Sequence, residues 1–188
     1  MKHVILIHAH KDLDQLNALV GQLAHEEFVI YVNVDARSDI DIARVSAPAR
    51  LVRQRIPVHW GDWSQVRATL NSLAEIVDGV TCFDKVVFIS AQDFPLLPNP
   101  ALKRALDRWH GSELIDCVAA APDGWACQER YQYFHSPGGG RYARLACKAL
   151  ARGMRCLGLR RTMVDGMRPF GGSTWWALSR LCVAMILA

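Results

Sequence analysis

The feature that most constrains this chain is a change of apolar period within its first 35 residues. Val4-Ile5-Leu6-Ile7 is a continuous apolar run, as expected of a strand buried on both faces. Asp12 or Asp14 then offers a cap for a helix whose apolar positions, Leu13, Leu16, Leu19, Val20 and Leu23, recur at helical spacing. Phe28–Val34 returns to a strand rich in β-branched residues and stops at Asp35. A right-handed crossover sets two such strands parallel in one sheet. Ligands of open α/β sheets lie outside the carboxyl ends of the strands, where His8, Ala9, His10 and Asp35 fall.

The same alternation continues downstream. A loop with Pro48 and Pro57 leads to His59-Trp60-Gly61-Asp62-Trp63-Ser64, where Asp62 or Ser64 caps a helix with an expected apolar stripe of Val66, Leu70, Leu73, Ala74 and Val77. Lys85–Ser90 reads as a buried strand, and Asn99-Pro100 starts a helix over 101–109 with proline in its favoured first turn. A further strand is expected over 117–121, a loop over 122–140, and a basic helix over 141–153. Phe170–Trp176 reads as a glycine-hinged loop entering a strand, with a final helix over 179–187. With 188 residues, no repeat and no linker, the expectation is one α/β domain.

Charge is modest overall, +4, but unevenly placed. Between Arg141 and Arg168 stand eight Lys or Arg and one acid, Asp165. Such a segment suits a phosphate-bearing ligand or an anionic surface, or simply a solvated helix face. The six cysteines form no CxxC pair and several lie in apolar runs, which fits a reducing compartment. Val4–Ile7 is too short for a signal segment and 181–188 too short to span a bilayer. A cytosolic protein, or one peripheral to a membrane, is expected.

No P-loop, GxGxxG, HExxH or GxSxG occurs. Two DxD spacings, Asp12-x-Asp14 and Asp39-x-Asp41, have the hard oxygen ligands that suit Mg²⁺ or Mn²⁺. The first reads better as a helix cap and the second as a polar loop, so no metal site is expected. Gly138–Gly140 reads as a plain loop rather than a phosphate nest. His8 and His10, two residues apart on a strand end, are expected to face one side and to hydrogen-bond a base or ribose. Asp35 suits a ribose hydroxyl or a base N–H, or serves as a loop acid. Trp60 and Trp63 are either core or a stacking platform for a base or sugar. Asp93 follows a strand and either contacts ligand or ties its own turn.

Four segments carry a family resemblance. His10-Lys11 with the leucine-spaced helix and Val32-Asn33-Val34-Asp35 resembles the opening of the core-2/I-branching β-1,6-N-acetylglucosaminyltransferases and the related peptide O-xylosyltransferases. The stretch from Trp60-Gly61-Asp62-Trp63-Ser64 to Asn71 is similar to their tryptophan-serine segment. Ile89-Ser90-Ala91-Gln92-Asp93-Phe94-Pro95-Leu96 resembles their "SGQDFPL" block, with Ala91 in place of glycine. Gly172-Ser173-Thr174-Trp175-Trp176-Ala177-Leu178-Ser179-Arg180 resembles "GSxWFxLSR".

The resemblance implies a GT-A-like nucleotide-sugar-binding fold, a central mostly parallel sheet flanked by helices. It implies inverting transfer of GlcNAc or xylose from UDP-GlcNAc or UDP-xylose to a glycan or protein hydroxyl, without metal, cofactor or nucleic acid. His8, Ala9 and His10 fall where the family contacts uridine, Asp35 and Arg37 on its uracil and ribose segment, and Trp60 on a donor-site aromatic. Gln128, Glu129, Arg130 and Tyr131 fall near an acceptor-sugar segment. Asp93 and Ser173, inside the matching blocks, complete the expected substrate-binding set. The family's base is a glutamate in a Pro-Asp-Glu motif downstream of the Ser-Arg block, and no residue here matches it. The expectation is therefore a domain incomplete at its C-terminus, and the alternative a truncated, inactive nucleotide-sugar-binding module.

Overall fold

β1 (His3–Ala9) forms where the first apolar run lies, with Val4, Leu6 and Ile7 fully inaccessible. In this computed structural model residues 1–120, 129–135, 140–163 and 165–188 are described. After β1 come α1 (Leu13–Leu23), β2 (Phe28–Val34), a 3-10 turn (Ile42–Arg44), β3 (Arg50–Leu51), α2 (Trp63–Gly79) and β4 (Lys85–Ser90). Then follow α3 (Asn99–Arg108), β5 (Leu114–Ile115), β6 (Val118–Ala119), α4 (Glu129–Gln132), α5 (Arg141–Cys156), β7 (Phe170–Gly171), β8 (Trp176–Ser179) and α6 (Arg180–Leu187).

The chain makes two compact units. The first comprises residues 1–58, 64–115 and 175–188 and contains a six-stranded sheet in the order β3-β2-β1-β4-β8-β5. β1 pairs parallel with β2 and with β4, β2 parallel with β3, and β8 antiparallel with both β4 and β5. The mixed α/β architecture with a mostly parallel sheet flanked by helices is the one expected from sequence. The chain steps from β1 outward to β2 and β3, then returns to lay β4 on the other side of β1. The carboxyl ends of β1 and β4 therefore flank a topological switch point.

Alternation along β1 builds two cores. Ile5, Ile7 and Ala9 pack with Leu16, Leu19, Val20 and Leu23 of α1 and Leu106 of α3 on one face. Val4 and Leu6 pack with Leu73 and Ile76 of α2 and Val183 of α6 on the other. Each such fully buried aliphatic side chain contributes about 2 kcal/mol. Asp12 starts α1, as expected, accepting the Gln15 N–H at 3.0 Å. Ser179 starts α6 by accepting the Cys182 N–H at 3.2 Å.

Three sequence expectations are corrected. The buried side of α2 is Ala68, Ser72, Leu73 and Ile76, whereas Val66 and Ala74 are exposed. The helix is turned by Asn33 of β2, which is buried and donates to Ala68 O (3.1 Å) and Ser72 Oγ (2.8 Å). A buried amide without partners costs roughly 1–3 kcal/mol, so a polar stripe outweighs a purely apolar one here. Of the strand expected over 117–121 only Val118–Ala119 forms, as β6, with 121 outside the described residues, and Leu114–Ile115 makes a separate strand, β5. The loop expected after Asp35 contains the edge strand β3, which pairs Tyr31 with Arg50 and Val32 with Leu51.

The second unit comprises residues 59–63 and 116–174. Its β6 and β7 pair antiparallel, with Val118 opposite Gly171 and Ala119 opposite Phe170. Glycine is required at 172, where a Cβ would collide with the Asp116 carbonyl. The basic helix forms as expected and runs on to Cys156. Gln128, Gly138, Gly139 and Cys127 lie outside the described residues. The other five cysteines are free thiols. Among the described residues no helix is long and apolar enough to cross a membrane.

Candidate functional site

The first unit gathers six of the expected site residues at the carboxyl edge of its sheet: His8, Ala9, His10, Asp35, Arg37 and Asp93. The backbone there is tied across strands. Asp35 N–H donates to Ala9 O and Ala91 N–H to His8 O, each at 2.9 Å.

His8 is opposite Ser90 in the β1–β4 ladder, at the switch point. Its ring meets Phe88 edge-on, centroids 4.7 Å apart. Burial pushes its pKa down to about 4, so the imidazole is neutral at neutral pH. Its Nε2 is buried and has no hydrogen-bond partner among the described residues. Buried polar atoms are nearly always paired, so an orphan at a strand's carboxyl end makes His8 a candidate ligand contact. Neutral His8 can give or take one hydrogen bond there; it cannot neutralise a phosphate.

His10 is not His8's neighbour in this chemistry. β1 ends at Ala9, so strand alternation does not carry to residue 10. The exposed His10 instead lines a cavity of about 350 Å³ with Asp12, Ser38, Asp39, Asp41 and Arg44. The sequence's two DxD spacings thus contribute to one cavity. Two of the three carboxylates are already engaged, Asp12 as the cap of α1 and Asp41 accepting the Ala43 N–H at 3.1 Å.

Asp35 has a structural duty that the sequence left open. Its Oδ1 accepts the N–H of Arg37 (2.9 Å) and of Val58 (3.1 Å), stapling the loop after β2. Arg37 Nη1 donates to Val58 O at 3.1 Å, on the same loop pair. Asp93 likewise ties its turn, its Oδ2 accepting the Ser90 N–H at 2.7 Å. The same oxygen accepts the indole N–H of Trp175 at 2.5 Å. That bond joins two of the sequence's matching blocks, and Trp175 is the residue at this edge that sequence reasoning missed. Its signal was present: a second tryptophan in Trp175-Trp176, where only Trp176 has a strand position facing the core, stacked on Phe88 at 5.1 Å.

The remaining expected residues belong to the second unit. Trp60 is 85% exposed, on a turn that Gly61 completes with a φ of 75°. Glycine adopts that left-handed conformation without a steric penalty. An indole that open is no core residue, which removes one of the two sequence readings of Trp60. Arg130 and Tyr131 lie on the short α4, and Ser173 is an exposed residue between β7 and β8.

One further cluster lies at the opposite, amino end of the sheet. His3 Nε2 meets Asp107 Oδ1 at 3.1 Å, and His110 Nδ1 meets Asp84 Oδ1 at 2.9 Å. His3, Asp84 and Asp107 each offer an atom within 4.8 Å of the others. Lys103 Nζ sits 2.6 Å from Asp107 Oδ2 and already supplies a cation there.

Comparison with known proteins gives three findings. A family model described as Core-2/I-Branching enzyme matches residues 5–188. Xylosyltransferase 2 of Canis lupus familiaris and of Homo sapiens are each 26% identical to this chain over 113 residues. The match covers 56% of this chain but only 13% of each relative's length. A solved 4-diphosphocytidyl-2C-methyl-D-erythritol synthase aligns over 94% of this chain and 74% of its own, at 14% identity. Its TM-score of 0.43 is too slight a likeness to assign a fold or an activity.

Proposed function

The chain belongs to the Core-2/I-Branching enzyme family, and on that premise we propose that it is a glycosyltransferase of GT-A-like fold. It moves GlcNAc or xylose from UDP-GlcNAc or UDP-xylose to a hydroxyl of a glycan or protein acceptor, with inversion. The observation that carries the donor half is the orphan Nε2 of His8 at the β1–β4 switch point. A uracil or ribose offers the single neutral hydrogen bond that this atom lacks, with Ala9, Asp35 and Arg37 completing the donor edge and His10 lining the neighbouring cavity. In the second unit, Trp60 offers an exposed stacking surface, Arg130 and Tyr131 are assigned to the acceptor, and Ser173 to substrate binding.

Two carboxylates at the edge are unsuited to act as the base. Asp35 Oδ1 accepts two backbone N–H groups and Asp93 Oδ2 accepts a backbone and an indole N–H. Those hydrogen bonds fix the oxygens in place and occupy the lone pairs that would receive an acceptor's proton. The same commitment supports a second reading, a nucleotide-sugar-binding module that does not transfer. In this reading the diphosphate is held without a divalent cation; Asp12 Oδ1 and Asp41 Oδ1 each already accept a backbone N–H.

Calorimetry with UDP, with and without EDTA, tests the reading. The expected result is binding that EDTA leaves unchanged. Absence of UDP binding overturns the donor assignment, and a requirement for Mg²⁺ or Mn²⁺ overturns the metal-free one. A radiolabelled-donor assay with both UDP-sugars then separates transfer from binding alone.

A further inference from the structure

α5 is the most one-sided element of the second unit. Over its sixteen residues it carries Arg141, Arg144, Lys148, Arg152 and Arg155 and no acid. At 100° per residue these five fall within a sector of about 80°. Tyr142, Ala146 and Leu150 fall on the opposite side at i, i+4 spacing, and Leu157, capping the helix seven residues further on, extends the same stripe. That stripe is not covered: Tyr142 is 76% and Leu157 74% exposed, and Ala146 and Leu150 are exposed as well. Only Ala151 is buried. Leu145, between the two sectors, is exposed too, and so is Leu159 just past the helix.

We infer that α5 is a membrane-surface helix, lying in the headgroup plane of an anionic bilayer with the Tyr142–Leu157 stripe inserted. Two features select this occupant. An uncovered apolar stripe excludes a helix that merely displays charge to water, since exposed apolar surface of this length marks a docking face. The charge opposite it is of one sign. A basic polar face backed by an apolar face is the composition that binds anionic lipid, the cations meeting headgroup phosphates while the stripe enters the acyl boundary. Arg and Lys carry long apolar stems, so cations across the helix from the stripe stay in the headgroup layer while the stripe enters the acyl boundary. Of the five cations, Arg155 is held within the protein, on Glu129 Oε2 at 2.7 Å and over the Tyr133 ring. Arg144, Lys148 and Arg152 are exposed along an open groove with Phe134 and His135 and are the cations left to meet headgroup phosphates.

The experiment is sedimentation of the full chain with vesicles of phosphatidylcholine alone or with 30% phosphatidylserine, at two salt concentrations. Binding is expected to the anionic vesicles only, and it should weaken at high salt because the Debye length shrinks from about 10 Å at 0.1 M to about 3 Å at 1 M. Leu150→Glu should abolish it by placing a carboxylate in the inserted stripe. Arg144→Glu with Lys148→Glu should reduce it at least tenfold, roughly the effect of reversing two surface cations. Circular dichroism on both variants keeps folding separate from binding, since neither site is buried. Equal binding to neutral and anionic vesicles, or none to either, overturns the inference. So does a dimer on gel filtration that Leu150→Glu dissociates, which would make a second copy the occupant.

Discussion

His3 and His8 stand at opposite ends of β1, both on a strand buried from two sides, and their surroundings differ in one respect. Burial lowers the pKa of each ring. At His3 that effect is opposed by the hydrogen bond to Asp107 and by the charges of Asp84 and Asp107. At His8 nothing opposes it, and the pKa falls to about 4. The amino end is closed on itself in other ways too. Asp84 holds His110, Lys103 holds Asp107 below the usual carboxylate range, and the fully buried Lys85 donates to Ser112 O at 2.5 Å. Among the described residues each ring leaves one nitrogen buried and unpartnered, Nδ1 of His3 and Nε2 of His8. Only His8 has that nitrogen at the carboxyl edge, with no countercharge nearby. Burial alone therefore does not single out His8; its unpartnered nitrogen at the carboxyl edge is what the proposed donor contact rests on.

The largest expected effect breaks the comparison at the amino end. His3→Ala removes a ring of 0% exposure and its bond to Asp107, and should cost about 3 kcal/mol in urea unfolding at pH 7. His8→Ala should cost less, because its ring has no hydrogen bond to lose at Nε2. Should His8→Ala prove the more damaging, His8 would be the structural histidine and the contrast would be reversed.

A smaller effect sharpens the comparison through pH. His8 has a folded pKa of about 4, below the ordinary value of 6.5, so between these values the unfolded chain binds a proton that the folded chain refuses. Stability from this residue is thus full above pH 6.5 and is lost as pH falls toward 4. From pH 7 to pH 5 the loss is about 2 kcal/mol. His8→Gln should flatten the stability–pH curve by that amount over that interval. An unchanged slope in the variant would mean that His8 titrates near its ordinary value and is not desolvated.

Much of the fold was legible because its first unit obeys simple periods. β2 forms over the predicted residues, α1 caps at Asp12, and Lys85–Ser90 forms the predicted strand. What escaped was set by contacts between distant residues. Asn33, one polar residue in an apolar strand, rotates α2 by drawing in Ser72, 39 positions away. The edge strand β3 exists through its pairing with β2, since Arg50-Leu51 alone has no strand signature. For the site, position along the strands was enough to bring His8, Ala9, Asp35 and Asp93 to one edge. It was not enough to reveal that Asp93 holds Trp175, nor that β1 stops short of His10 and sends it to a different cavity.

The smallest expected effect concerns Asp35, where a structural and a proposed ligand role share one side chain. Oδ1 is spent on the Arg37 and Val58 N–H groups. A ligand donor must therefore be met by the other oxygen. Asp35→Asn separates the two roles, since an amide keeps one carbonyl oxygen for the loop and replaces the second oxygen with N–H₂. The loop should hold, leaving the thermal midpoint within a degree or two of the parent, whereas a ribose or uracil donor would then face another donor. UDP affinity should drop by about 1 kcal/mol, roughly fivefold, the size of one neutral hydrogen bond. Asp35→Ala should lose both roles, adding a destabilisation of similar size from the two orphaned N–H groups. Calorimetry paired with thermal unfolding reads the two separately. If Asp35→Asn binds UDP as the parent does while Asp35→Ala is destabilised, Asp35 is a loop staple alone, and the donor edge rests on His8 and its neighbours on β1.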